Sequence, residues 1–157
     1  IGFVLSLIAD IGIAAGVAAA PVAQAAPVPL PVPAWAQWLG VALALTGTVL
    51  LMWVHIALGL HFSGTLHLRE DHQLVRHGPY AWVRHPMYTS FLALLGGISL
   101  LVGDAVVAGV LLGSQVWVLG SRLPHEEAQL AERFPADWPA WRAHTGALFP
   151  RLVRGRS

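Results

Sequence analysis

Residues 72–88 read HQLVRHGPYAWVRHPMY, more chemistry than a segment needs merely to connect two helices. Gly78-Pro79 is a turn signal: glycine permits a positive φ and proline fixes the residue that follows. His85-Pro86 puts a proline at the first position of a helix, with His85 held extended just before it. That helix opens with its free N–H groups facing the loop, and such an end attracts a carboxylate or another acceptor-rich group. The competing reading is an interfacial linker whose arginines only mark topology.

On both sides of this stretch the chain is apolar. Of 157 residues 56% are hydrophobic and 11% are charged, and the mean hydropathy is +0.64. A soluble domain carries about 25% charged residues, so the deficit points to a membrane. From Ile1 to Leu68 the only charged residue is Asp10, whereas all nine arginines lie at Arg69 or beyond. A net charge of +1 supplies no field able to hold a nucleic acid against salt. With no cysteine in the chain, disulfide frameworks, thiolate metal sites and cysteine nucleophiles are excluded.

Four stretches compete to be membrane spans, judged against the roughly 20 apolar residues needed to cross about 30 Å of hydrocarbon. They are Ile1–Ala20, Ala34 to about Leu60, Met87–Val102 and Ala105–Leu119, the last reaching Arg122. Ile1–Ala20 also resembles a secretory signal peptide ending in small residues. Pro21–Pro33 holds five prolines and no charge, so it reads as an extended connection. Gly103-Asp104 leaves room only for a tight turn, making the last two spans an antiparallel hairpin. Arg69, Arg76 and Arg84 follow the second span, and six more arginines cap or follow the fourth. Both regions therefore share the cytoplasmic side, with both termini inside. The fold class expected is all-α: a multi-spanning transmembrane helical bundle with a cytosolic cofactor pocket and C-terminal amphipathic helices. Trp138 and Trp141, three apart, face one way on a helix suited to the membrane surface. Gly96-Gly97 and the Gly109/Gly113 pair permit close helix packing, here expected within the monomer.

A second polar cluster is Arg122 with Glu126 and Glu127. Arg122 and Glu126 are four apart and suit a simple ion pair worth a few tenths of a kcal/mol. The hairpin, however, returns this end of the fourth span to the loop that holds His85, so the acids and the arginine can close a pocket there. The eight histidines are spaced by five or six in the runs His55–His61–His67 and His67–His72–His77, which stacks no two imidazoles on one helical face. No metal site is expected. Nor is there a GxSxG, a GxGxxG or a phosphate-binding loop.

The stretches His72-Gln73-Leu74-Val75, Gly78-Pro79-Tyr80, Arg84-His85-Pro86-Met87-Tyr88 and Glu126-Glu127, ending in Phe134–Trp141, resemble the isoprenylcysteine carboxyl methyltransferase family and its phospholipid methyltransferase relatives. The resemblance covers roughly His72 to Pro150. It implies an integral membrane methyltransferase that uses S-adenosylmethionine, in one domain: N-terminal transmembrane helices over 1–61, a methyltransferase-like core over 62–150 and a basic tail over 151–157. Carried onto this chain, the cofactor contacts implied are His72, Gln73, Leu74, Val75, Tyr80, His85, Pro86, Met87, Tyr88 and Glu127. Arg122 matches the arginine that holds the substrate carboxylate, and Glu126 joins it as a catalytic candidate. Thr65 stands where eukaryotic members place a glutamine that contacts the cofactor; Pro135 stands where they place a glycine, and Trp138 and Trp141 where they place tyrosines, changes that fall on the roof of the substrate site.

The acceptor implied is lipid-like or amphiphilic, reacting through a carboxylate, amine or thiol at the cytosolic face of a bacterial inner membrane. Two other readings compete: an NADPH-dependent membrane reductase of the sterol-reductase type, and a non-catalytic membrane scaffold. Cofactor binding separates all three.

Overall fold

The computed structural model of the protein describes residues 26–58 and 74–151. Their elements are helices α1 (Ala34–Leu58), α2 (Pro86–Val102), α3 (Ala105–Arg133) and α4 (Trp138–His144), with a 3-10 turn at Gly78–Ala81 between α1 and α2. Helices α1 and α3 are each long and apolar enough to cross a membrane, yet only 22% and 6% of their apolar windows are buried inside the protein. A soluble core helix would be largely buried. Here Leu45, Val49, Met52, Ile56, Val116 and Trp117 are exposed, which suits a lipid environment. Helix α2, with 17 residues, is shorter. The expected first span, Ile1–Ala20, lies outside the described residues.

Helices α1 and α2 form the closest pair because glycine lets their backbones touch. A Cβ on Gly97 would stand 2.5 Å from the Ala44 nitrogen and from the Gly40 oxygen. On Gly47 it would stand 2.6 Å from the Leu94 nitrogen. Close backbone approach through small residues is how apolar helices associate where the hydrophobic effect gives no help. Ser90, fully buried in α2, returns its hydroxyl to the Pro86 carbonyl at 2.7 Å, so no polar group is left bare. Among the described residues nothing stands within 4 Å of a Cβ at Gly109 or Gly113, so these two glycines take no part in the α1–α2 contact.

The α2–α3 turn is built as the sequence predicts. Gly103 ends α2 in the left-handed region, at φ 62°, where glycine pays no steric cost. Asp104 caps α3, accepting from the Val106 and Val107 amides at 2.9 and 3.0 Å. The same carboxylate accepts from the Val28 amide at 2.6 Å, and the Leu30 amide donates to the Gly103 carbonyl at 2.7 Å. The extended proline-rich segment is thereby pinned across the hairpin turn.

At the other end helix α3 runs on beyond its apolar stretch Ala105–Leu119, through Pro124 to Arg133. Proline removes the bond to the Gly120 carbonyl; both residues are exposed, so that carbonyl can be solvated and the helix goes on. Trp138 and Trp141 do not lie on a membrane surface. They are 5% and 7% exposed, turned inward on α4 and in edge contact at 5.6 Å.

Candidate active site

At the end of the bundle away from the Gly103-Asp104 turn, the motif stretch, the last turns of α3 and α4 enclose a cavity of about 740 Å³. This is within the roughly 300–1,000 Å³ typical of small-molecule sites. Leu58, Leu74, Val75 and Met87 make its apolar side, while Tyr80, His85, Tyr88, Glu126, Glu132 and Trp141 contribute polar and aromatic surface.

Local backbone rules aim the first set. Gly78, at φ 60°, starts the 3-10 turn that carries Tyr80. Pro86 opens α2 as its first residue, so His85, Met87 and Tyr88 fall on the loop and first turn facing the cavity. Tyr88 donates to Glu126 Oε1 at 2.6 Å, tying α2 to α3. His85 lies between the two acids, with Nδ1 3.5 Å from Glu126 Oε2 and Nε2 3.5 Å from Glu127 Oε1. Among the described residues its buried Nε2 has no hydrogen-bond partner. Burial, aided by the Glu126 charge, pushes the Tyr80 phenol far above its usual range, so the group is neutral at any working pH. The Tyr80 carbonyl accepts from the Trp141 indole at 3.1 Å, which seats α4 as the roof.

Leu74, Val75, Tyr80, His85, Met87, Tyr88 and Glu126 all line this cavity. Pro86 is buried behind it, and His72 and Gln73 lie outside the described residues. Glu127 does not reach the lining: its Oε1 is gripped by Arg84 Nε and Nη2 at 2.9 and 2.8 Å. Arg122 is exposed and forms no part of the lining, although it is close enough for its charge to act on the Tyr88 hydroxyl. The expected Arg122–Glu126 pair is replaced by the Tyr88–Glu126 bond.

Gln129, Leu130 and Arg133 also line the cavity and were not anticipated. With Glu126 they repeat at three, four and seven residues, one face of a helix, and they become legible once α3 is continued past Pro124. Among the described residues no group of histidines and acids is arranged to hold a metal.

A model of the isoprenylcysteine carboxyl methyltransferase family matches residues 39–132. A probable protein-S-isoprenylcysteine O-methyltransferase from Oryza sativa subsp. indica is 27% identical over 120 residues, 72% of this chain and 61% of that protein. The nickel-cobalt-cadmium resistance protein NccN of Alcaligenes xylosoxydans xylosoxydans is 29% identical over 119 residues, 76% of this chain and 50% of its own length. The solved structure of the eukaryotic intramembrane Ras methyltransferase ICMT superposes with a TM-score of 0.66 at 24% identity, covering 74% of this chain and 42% of that one. The chain thus spans about three fifths or less of each, and the structural likeness is one of fold.

Proposed function

Because this chain belongs to the isoprenylcysteine carboxyl methyltransferase family, we propose that its cavity binds S-adenosylmethionine and that the protein methylates an amphiphilic acceptor at the membrane. The observation that carries this reading is a cavity of about 740 Å³ at the end of two apolar helices, with Glu126, Tyr88, His85, Tyr80 and Trp141 on its wall and Glu132, Arg84 and Arg133 also in its lining.

The residues present fit the cofactor. Glu126 and Glu132 supply negative charge beside a cationic sulfonium, and Tyr80 and Trp141 offer aromatic surface to a flat base or a cation. His85 Nε2, without a hydrogen-bond partner among the described residues, would gain one from a polar amino-acid moiety. Leu74, Val75 and Met87 bind the apolar portions, and in the family pattern His72 and Gln73 extend the same strip. When bound, the cofactor supplies an activated methyl group.

The protein's task is then positioning, since methyl transfer needs an in-line approach and little covalent help. Tyr88 holds the Glu126 carboxylate in place, so the negative charge is set before any ligand arrives. Arg122, beside Tyr88, can hold an acceptor carboxylate through two parallel hydrogen bonds. An amine or thiol acceptor would instead have to lose a proton, for which His85 and Glu126 are the groups at hand. An amphiphilic acceptor has its apolar part beside α1 and α2 and its head at the cavity, on the face expected to be cytoplasmic.

Isothermal titration of the detergent-purified protein with S-adenosylhomocysteine, with NADPH as control, tests the reading. Binding of S-adenosylhomocysteine and not NADPH is expected; NADPH binding alone, or neither ligand on a folded sample, would overturn it.

A further inference from the structure

Arg84 is the most heavily engaged side chain at this end of the molecule. It is 7% exposed. Two of its nitrogens hold Glu127 Oε1, and Nη1 donates to the carbonyls of Thr145 and Arg142. Its guanidinium lies over the Trp138 ring, 5.7 Å from the centroid. Its backbone is equally occupied: the amides of Arg84 and His85 donate to the carbonyls of Gly146 and Ala147 at 2.9 and 3.0 Å. Residues 145–148 therefore run as a strip along the entrance to α2. Thr89 Oγ1 adds a bond to the Leu148 carbonyl at 2.6 Å, and a Cβ at Gly146 would collide with the Phe149 carbonyl.

We propose that Arg84 and Glu127 form a positioning latch, which clamps the 145–148 strip and α4 onto the start of α2 and so holds His85 and Trp141 in the cavity wall. The two acids thereby divide the work. The Glu127 charge is held by Arg84, with Arg142 Nε also 4.0 Å from its other oxygen, and of this adjacent pair Glu126 is the one that lines the cavity. Glu127, which the family pattern would place against the cofactor, acts through Arg84 instead.

The ligand readouts of the test rest on the methyltransferase reading; the exchange readout does not. Titrations with S-adenosylhomocysteine and S-adenosylmethionine compare the wild type with E127A, E127Q, R84A, R84A/E127A and E126Q. Each of E127A and R84A is expected to weaken S-adenosylhomocysteine about tenfold, and the double variant to be no weaker than either single one, as residues acting as one unit behave. E127Q keeps a neutral acceptor for Arg84, so it recovers most of the affinity and leaves the preference between cationic and neutral ligand unchanged. E126Q lowers that preference. By hydrogen exchange without ligand, E127A speeds the Arg84 and His85 amides and the 143–149 segment. Added S-adenosylhomocysteine slows those sites in the wild type but not in E127A, a coupling that a purely structural contact would not produce. Selective loss of S-adenosylmethionine in E127Q, additive losses, or unchanged exchange at Arg84 and His85 in E127A would each overturn the latch. If R84A fails to fold, R84K replaces it, since an ammonium cannot make all four bonds. Should the wild type bind neither ligand, the cofactor reading fails, and the ligand-free exchange still decides the latch.

Discussion

The Tyr88 hydroxyl and the Glu126 carboxylate, joined at 2.6 Å, are the point at which α2 and α3 meet over the cavity. The two residues are 38 positions apart and belong to opposite arms of the hairpin. The bond fixes where the cavity's negative charge sits, because a carboxylate that accepts from a buried-edge phenol has little freedom to swing out toward water.

Removing the donor should therefore loosen the charge without deleting it. Y88F is expected to weaken S-adenosylhomocysteine by about tenfold, the range of a hydrogen bond to a charged group at about 1.5 kcal/mol. E126Q should instead weaken S-adenosylmethionine more than S-adenosylhomocysteine, since only the first carries the sulfonium charge. Parallel titrations check both, and equal losses for the two ligands in E126Q would remove Glu126 from the cationic centre.

The α1–α2 contact predicts a sharp contrast between neighbouring glycines. G97A drives a methyl group into the Ala44 and Gly40 backbones and should cost about 2 kcal/mol, as overpacking does. Among the described residues Gly96 has nothing within 4 Å of its Cβ position, so G96A should be neutral or stabilising by up to about 1 kcal/mol through helix propensity. Thermal melts in detergent distinguish the two.

Asp104 makes the turn sensitive to acid. The Val107 amide foremost, then those of Val28 and Val106, hold its carboxyl below the ordinary carboxylate range. The carboxylate form is the one favoured by folding, so its stabilisation is present at neutral pH and is lost as the pH falls through the depressed pKa. The melting temperature of the wild type should drop progressively as the pH falls below about 5. D104N keeps a capping acceptor and should show a shallower drop, while D104A should melt lower than both at neutral pH. Identical pH profiles for wild type and D104N would refute the assignment.

Arg122 stands outside the cavity lining, which separates its role from cofactor binding. R122A should retain S-adenosylhomocysteine affinity within about twofold, a difference below roughly half a kcal/mol. Methyl transfer from radiolabelled S-adenosylmethionine to a membrane lipid extract should be lost if the acceptor is a carboxylate. Loss of cofactor affinity in R122A would contradict the substrate-holding role.

Much of this architecture was legible without coordinates. The charge deficit and apolar runs marked the start of α1 at Ala34, and Pro86 and Gly103 marked both ends of α2. Such features are local: a proline that must open a helix or a glycine that must close one acts through its own backbone, whatever surrounds it. The motif residues Leu74, Val75, Tyr80, His85, Met87 and Tyr88 and the acid Glu126 were likewise readable as one site, because the hairpin returns α3 to the loop before α2.

The tertiary structure decided what local rules could not. The apolar stretch of α3 ends near Leu119, yet contacts of the turns beyond it with Tyr88, His85 and Arg84 accompany the helix to Arg133, and with it Gln129, Leu130 and Arg133 enter the cavity wall. Trp138 and Trp141 read as a membrane-surface pair, since period alone places them on one face without saying what that face meets; Arg84 and the Tyr80 carbonyl draw them inward. Arg84 itself counts as a topology signal in the sequence. Only the fold brings Glu127, Thr145 and Trp138 around it, from 43, 61 and 54 positions away in the chain, and a guanidinium with partners that distant acquires its role from packing alone.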